Sequence, residues 1–443
     1  MNSILHKVLV IPVVLIIMSI NYGFAQEILS KNEAVKIALE NNFDIRAADN
    51  NVLVAKNNAN IKNSNYLPSV TAGGSASFST ANTENTLHDG TVTETKGVQT
   101  TRYNANVGLN YTLFDGFGRE NIYKSLKESY NISELQARSV IEFALIDIFS
   151  VYYEIARLTE NELNQKQTLD ISRERLLRAK YSFDYGQNTQ LDVLNAEVDY
   201  NSDSITYLTI VQQLENEKRN LNLLMGRDVE IRFAIDTAIT YAENIEYIEI
   251  KEKAEINNIN ILLNQSGLRN AEYFIKSTNA GSIPKLGLNA NYSGTYNDLG
   301  VTSPFDRQIL IGPTVGASLS WNIFDGGATN IRKQNSKITL ENQEIALEQS
   351  QLNLSRNVSN AWNIYRTALF VLQAERMNLR TNQRNFDRTV EQYALGQITS
   401  IVFRQAQLNQ LNAQLNYNQA KYSAKIAELA LFQLSGDLLN ATF

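Results

Sequence analysis

The chain has no cysteine and only two histidines in 443 residues. The first absence excludes disulfides, thiolate metal sites and a lipidated N-terminal cysteine. The second leaves no metal cluster and no His-based triad, because His6 lies at the extreme N-terminus and His88 in a polar stretch. No P-loop or dinucleotide-binding glycine pattern follows a strand, so no cofactor is expected. A net charge of −6 without a basic patch argues against nucleic acid as a partner. After residue 25 no apolar run approaches the roughly 20 residues a helix needs to cross a bilayer. A chain of this kind that enters a membrane must do so as a β-barrel.

Residues 1–25 read as a secretory signal peptide. Lys7 supplies the basic start, Val8 to Ile20 the apolar run, and Gly23-Phe24-Ala25 the small residues at the cleavage site. A membrane anchor is the competing reading, and the run is short for one. The exported chain then begins near Gln26.

The rest of the chain says nearly the same thing twice. Leu113-Phe114-Asp115-Gly116 returns as Ile323-Phe324-Asp325-Gly326, Tyr185-Gly186-Gln187 as Leu395-Gly396-Gln397, and Leu224-Met225-Gly226 as Leu434-Ser435-Gly436. Asp325 stands 210 positions after Asp115, Gly396 210 after Gly186, and Gly436 210 after Gly226. A constant offset between turn landmarks predicts two structural repeats, 26–235 and 236–443. Each has a helix, a strand pair and a long helical hairpin.

In the first repeat a helix is expected from Leu29 to about Asn65, capped by Ser30 with Glu33 three residues on and ended before Pro68. Strands are expected at about 68–80 and 98–114, with a polar loop over Ala81–Gly97. In the second repeat they are expected at about 284–296 and 309–324, around a loop Asn297–Gln308. Tyr103, Ala105, Val107, Leu109, Tyr111 and Leu113 share one strand face, against Asn104, Asn106, Gly108, Asn110 and Thr112. Such alternation over ten or more residues, with Tyr and Trp near strand ends, is the pattern of outer-membrane strands. A half-buried sheet in a soluble domain is the alternative.

The helices are unusual. Neither Gly nor Pro occurs from Arg119 to Tyr185 or from Ala328 to Leu395. Each stretch, as continuous helix, spans roughly 100 Å at about 1.5 Å per residue. With the partner helices these predict hairpins over about 118–226 and 328–435. In the second, Ile331, Ile338, Ile345 and Leu352 form one ladder of spacing seven, and Leu340, Leu347, Leu354, Ala361 and Ala368 another. The ladders lie about 200° apart around the helix. Two opposed seams demand a neighbour on each side, so a ring of such helices makes a hollow α-barrel. A helix in a solid bundle would be apolar all round, whereas this one carries Lys333, Glu341, Glu344 and Glu348. One chain supplies four candidate strands, and an outer-membrane barrel needs at least about eight. Two chains give eight and a filled interior; three give about twelve and an open lumen.

At these landmarks the chain resembles the TolC-like outer membrane efflux protein family. The matching pieces run from Leu29-Ser30-Lys31-Asn32-Glu33-Ala34 and Leu67-Pro68-Ser69-Val70, through the Phe-Asp-Gly turns, to Tyr185-Gly186-Gln187-Asn188-Thr189-Gln190-Leu191-Asp192, Gly312-Pro313 and Leu395-Gly396-Gln397. They cover almost the whole exported chain. The resemblance implies a mixed α and β fold: a homotrimer with a twelve-stranded transmembrane β-barrel in outer-membrane lipid, continued by a periplasmic α-helical barrel. It implies a passive exit duct of a tripartite efflux or type I secretion system, joined by a periplasmic adaptor to an inner-membrane transporter. The adaptor-docking tips would be Tyr185, Gly186, Gln187 and Leu191 at one turn, and Leu395, Gly396, Gln397 and Ile401 at the other. Asp192 and Tyr393 match positions that bond to each other in the family's closed periplasmic gate; Asp192 as a mere helix cap is the alternative. The sequence also departs from the family. Ile398 replaces a basic residue of the lock, and Val402 and Gln405 occupy the positions of the acidic entrance ring, with Arg404 beside them to alter the field.

Two other functions stay in view. A soluble periplasmic coiled-coil adaptor or scaffold would share the long helices. An enzyme of surface polymers would need a carboxylate pair or nucleophile, and none stands out. The polar tunnel lining expected here names no cargo.

Overall fold

The computed structural model describes residues 28–242, 244–299 and 305–440. The signal-peptide segment 1–25 and part of the second strand-pair loop lie outside them. The elements are β1 (Ile28–Leu29), α1 (Lys31–Asn41), α2 (Phe43–Asn58), β2 (Ser69–Thr86), β3 (Val92–Phe114), α3 (Gly118–Asp184) and α4 (Gln190–Leu224). There follow β4 (Ala234–Ile235), α5 (Tyr247–Asn257), α6 (Ile259–Ala280), β5 (Lys285–Asp298), β6 (Arg307–Ser320), α7 (Ala328–Ala394) and α8 (Ser400–Ser435). Contacts divide the chain into two units, and α3 and α7 contribute residues to both.

One unit comprises the described residues of Met1–Ala47, Ser139–Asn258 and Leu354–Phe443. Its core is apolar and aromatic. Phe149, Tyr152 and Tyr153 of α3 pack with Ala34 and Ala38 of α1, Leu214 and Leu221 of α4, and Tyr422 and Leu429 of α8. The Tyr152 hydroxyl donates to the Leu29 carbonyl at 2.9 Å, and desolvation pushes this phenol up to about 12. β1 and β4 pair in parallel through Ile28↔Ala234 and Leu29↔Ile235. Two left-handed glycines close the hairpin helices against α1 and α5. A Cβ on Gly226 would meet the Asn41 carbonyl at 2.3 Å, and one on Gly436 the Asn257 carbonyl at 2.7 Å.

The single helix expected over 29–65 is instead two, Lys31–Asn41 and Phe43–Asn58. It breaks at Asn42, whose side chain donates to the Leu224 carbonyl at 2.7 Å and accepts from the Asp44 and Ile45 amides. Asn42 thus caps a second helix. That helix gives way to a 3-10 turn at Ile61–Ser64.

The other unit comprises Ala48–Arg138 and the described residues of Ile259–Asn353. It holds an antiparallel sheet of order β2-β3-β5-β6, whose two edges have no partner among the described residues. The register aligns Ala72, Val107, Tyr292 and Pro313 across all four strands, so the apolar residues share one face. The opposite face carries Asn104, Asn106, Asn289 and Asn291. Asn106 donates to Asn291 at 3.4 Å, and Thr295 donates to Asn104 at 3.1 Å. Val70, Phe78, Ile311, Val315 and Leu319 are all exposed in one chain.

The strand limits also need correction. The polar stretch 81–97 is mostly strand, paired from Thr83↔Thr95 to Thr86↔Val92 after a bulge. Backbone pairing needs no apolar face, and alternation alone misses it. The fourth strand ends at Ser320 rather than near 324. The Phe-Asp-Gly turns then start the long helices. Asp115 accepts from the Arg119 amide, and Asp325 from the Thr329 amide, each at 2.9 Å.

Candidate gate and docking tips

Both helix reversals follow from a glycine. Gly186 and Gly396 each have φ of +72°, the left-handed region that ends helices. The Gln187 amide reaches back to the Ser182 carbonyl at 2.8 Å, and the Gln397 amide to the Gln392 carbonyl at 2.9 Å. A Cβ at either glycine would meet nothing within 4 Å. The return helices differ in their caps. Thr189 and Asp192 form a reciprocal capping box on α4, whereas Thr399 accepts from the Val402 amide with no acidic partner to answer it.

Tyr185, Leu191, Leu395 and Ile401 point apolar groups into solvent, with Leu191 65 % and Ile401 73 % exposed. Gln187 and Gln397 are exposed beside them. Asp192 and Tyr393 are not brought together within one chain. The Asp192 carboxylate accepts from the Thr189 amide at 3.1 Å and hydroxyl at 2.8 Å. The Tyr393 ring packs on Phe403 at 4.6 Å between centroids, with the Arg178 guanidinium 5.5 Å above it. Ile398 joins this cluster with Phe386 and Ala406. Val402 and Gln405 are exposed, and Gln405 donates to Asn409.

Sequence reasoning missed the polar layer further along the hairpins. Arg404 of α8 donates to both carboxylate oxygens of Asp203 on α4, each at 2.7 Å. Its Nε lies 3.5 Å from Asp199. Asp199 also pairs with Arg175 of α3, and Ser172 donates to Asp203. Gln407 donates to the Thr168 carbonyl at 3.2 Å. Arg404 therefore does not alter the entrance field as a free charge; two carboxylates offset it. Asp199 and Asp203 sit four apart on one helix face, but nothing in the sequence names their partners on α3 and α8.

A second missed feature is a seam on α4. Leu191, Leu194, Val198, Ile205 and Leu208 recur at heptad spacing and are all exposed. On α7 the ladder Ile331, Ile338, Ile345 and Leu352 is exposed too, while Leu354 of the opposed ladder is buried and Ala361 and Ala368 are half-buried. Among the described residues no helix is long and apolar enough to cross a membrane.

The family model for outer membrane efflux proteins matches residues 34–227 and 251–437. The chain belongs to that family. It is 22 % identical to the outer membrane efflux protein BepC of Brucella suis, over 90 % of this chain and 83 % of that one. It is 24 % identical to the probable efflux pump outer membrane protein TtgC of Pseudomonas putida, over 91 % of this chain and 82 % of that one. The fold matches that of the Campylobacter jejuni CmeC outer membrane channel with a TM-score of 0.77, at 18 % identity, covering 92 % and 86 % of the two chains. This efflux family member is an outer-membrane protein and not an enzyme. The soluble adaptor reading is thereby set aside.

Proposed function

We propose that three copies of this chain form the outer-membrane exit duct of a tripartite efflux pump. The two sequence repeats, 26–235 and 236–443, each contribute one strand pair and one hairpin. One observation carries the reading: a single chain leaves its sheet unfinished. Among the described residues both sheet edges are unpaired, and the apolar residues of one face stand in solvent. An open edge and an apolar face of this kind are liabilities in water. Shared edges in a ring of about twelve strands remove the first, and lipid covers the second. The polar face then lines a wet lumen. The exposed ladders on α4 and α7 supply seams for neighbouring copies in the same ring.

At the helix reversals, Gly186 and Gly396 hold Tyr185, Leu191, Leu395 and Ile401 exposed for the hairpin of a periplasmic adaptor, which would link the duct to an inner-membrane transporter. Asp192, Tyr393, Val402 and Gln405 sit at the proposed gate. With Ile398 in place of a basic residue, that gate rests on fewer polar links, and with Val402 and Gln405 it has no acidic ring to select cations.

The absence of native cysteine makes the test direct. Ile338→Cys is expected to resist a membrane-impermeant thiol reagent in the native oligomer and to react once detergent and heat separate the chains. Equal reactivity in both states would leave the seam outside any interface. Detergent-stable trimers in outer-membrane fractions are the companion expectation.

A further inference from the structure

A cleft of about 190 Å³ opens between α3 on one side and α7 and α8 on the other. Ile171, Phe386, Val390 and Phe403 give it apolar walls, and Arg175 and Arg178 line it as well. Arg175 is 3 % exposed. Its Nη2 pairs with Asp199. Among the described residues its Nε and Nη1 have no acceptor. Buried donors are nearly always satisfied, so two such N–H groups on one guanidinium point to an acceptor supplied from outside the chain. Arg178 forms no ion pair among the described residues and stands over the Tyr393 ring. The carboxylate on the lining, Glu174, is exposed.

We propose that this cleft binds a small amphipathic anion. A single aromatic or short aliphatic group lies among Phe386, Val390 and Phe403, and its carboxylate or sulfonate accepts from Arg175 and Arg178. The size agrees: an apolar cavity of about 150 Å³ holds one benzene ring. Two guanidinium groups select the anion over its neutral and cationic analogues. The site stands on this geometry alone and not on the gate. Because its walls belong to both hairpins, an occupant also favours the arrangement seen here by mass action.

The test uses the full-length protein in detergent, with benzoate, benzyl alcohol and benzylammonium as probes, followed by calorimetry or ligand-observed NMR. Benzoate is expected to saturate with a Kd below about 10 mM, at least about tenfold tighter than benzyl alcohol. Val390→Trp, at an exposed wall position, fills the cleft and abolishes benzoate binding. Arg178→Gln, also exposed, weakens it several-fold. Equal affinity for benzoate and benzyl alcohol overturns the proposal. So does benzoate binding that survives Val390→Trp. No saturation by about 10 mM overturns it as well, leaving ordered water as the acceptor for Arg175.

Discussion

Arg404 offers the sharpest test of the helical wall. In Arg404→Met, Asp199 keeps Arg175, but Asp203 loses its cationic partner. Asp203 is 4 % exposed and cannot turn to water. Removing one partner of a buried ion pair costs about 3–5 kcal/mol. Asp203 keeps the Ser172 hydroxyl, so about 3 kcal/mol is expected here. This acts locally, on the opening of α8 away from α3 and α4. At about 1.4 kcal/mol per factor of ten, amides from Phe403 to Leu411 should exchange on the order of a hundredfold faster. Hydrogen exchange followed by mass spectrometry reads this directly. Arg404→Met/Asp203→Leu removes one charge of each sign and leaves Arg175 with Asp199, a balanced pair. Charge-free replacements of buried pairs are often neutral or stabilising, so most of the protection should return. A single variant that exchanges like the parent refutes the argument. A double variant as fast as the single one refutes it equally, because packing and not charge would then hold the layer.

Gly186→Ala and Gly226→Ala share a left-handed φ but differ in surroundings. The first should cost only about 1–2 kcal/mol of conformational strain and leave the oligomer intact in detergent. The second adds a clash at 2.3 Å with the Asn41 carbonyl and should lose folded protein; equal thermal stability of the two would contradict this. For the proposed gate, Tyr393→Phe keeps the ring on Phe403 and removes only the hydroxyl, so single-channel conductance should rise. Asp192→Ala should do the same at a capping cost of about 1 kcal/mol. Unchanged conductance in both variants and in their combination removes the latch. Glu128 provides a pH test. Burial works to raise its pKa, but hydrogen bonds from Arg269, Asn131 and Ser266 outweigh that and hold it below the usual value. Its contribution is therefore present above the unfolded value of about 4.3 and lost as pH falls through the lower folded value. Glu128→Gln should flatten the acid limb of stability below about pH 4, and an unaltered limb would exclude Glu128 as a source.

The strand faces were legible because the side-chain period is two and Tyr103 to Tyr111 keeps it without a slip; the register shifts only between Thr112 and Phe114. The strand lengths were not. From Ala81 to Gly97 both faces are polar, so alternation vanishes while the backbone goes on pairing. The turns at Gly186 and Gly396 were legible because each interrupts a long stretch without Gly or Pro. The capping role of Asp192 was readable from Thr189 three residues earlier. The break at Asn42 was hidden, since it depends on a carbonyl 182 positions away. The Arg404 layer was hidden for the same reason. Its members come from α3, α4 and α8, and only the register between hairpins decides which carboxylate meets which guanidinium.

The joints inside a chain and those proposed between chains differ in kind. Within the chain, α8 is fixed to α4 by paired, directional hydrogen bonds at Arg404 and to α3 by Gln407 on the Thr168 carbonyl. The seams left open on α4 and α7 are aliphatic. Apolar contact is proportional to area and indifferent to small shifts along the seam, whereas a bidentate guanidinium–carboxylate pair tolerates little displacement. Movement of the tips should therefore slide one chain past the next and leave each chain's own hairpins joined. It follows that the two kinds of joint fail differently. Ile338→Arg puts an unpaired charge into a seam and should abolish the oligomer, read by size-exclusion chromatography with light scattering in detergent. Arg404→Met should leave the oligomer assembled while loosening α8. If Arg404→Met dissociates the oligomer and Ile338→Arg does not, the chains are held together by their polar layers and the proposed division is wrong.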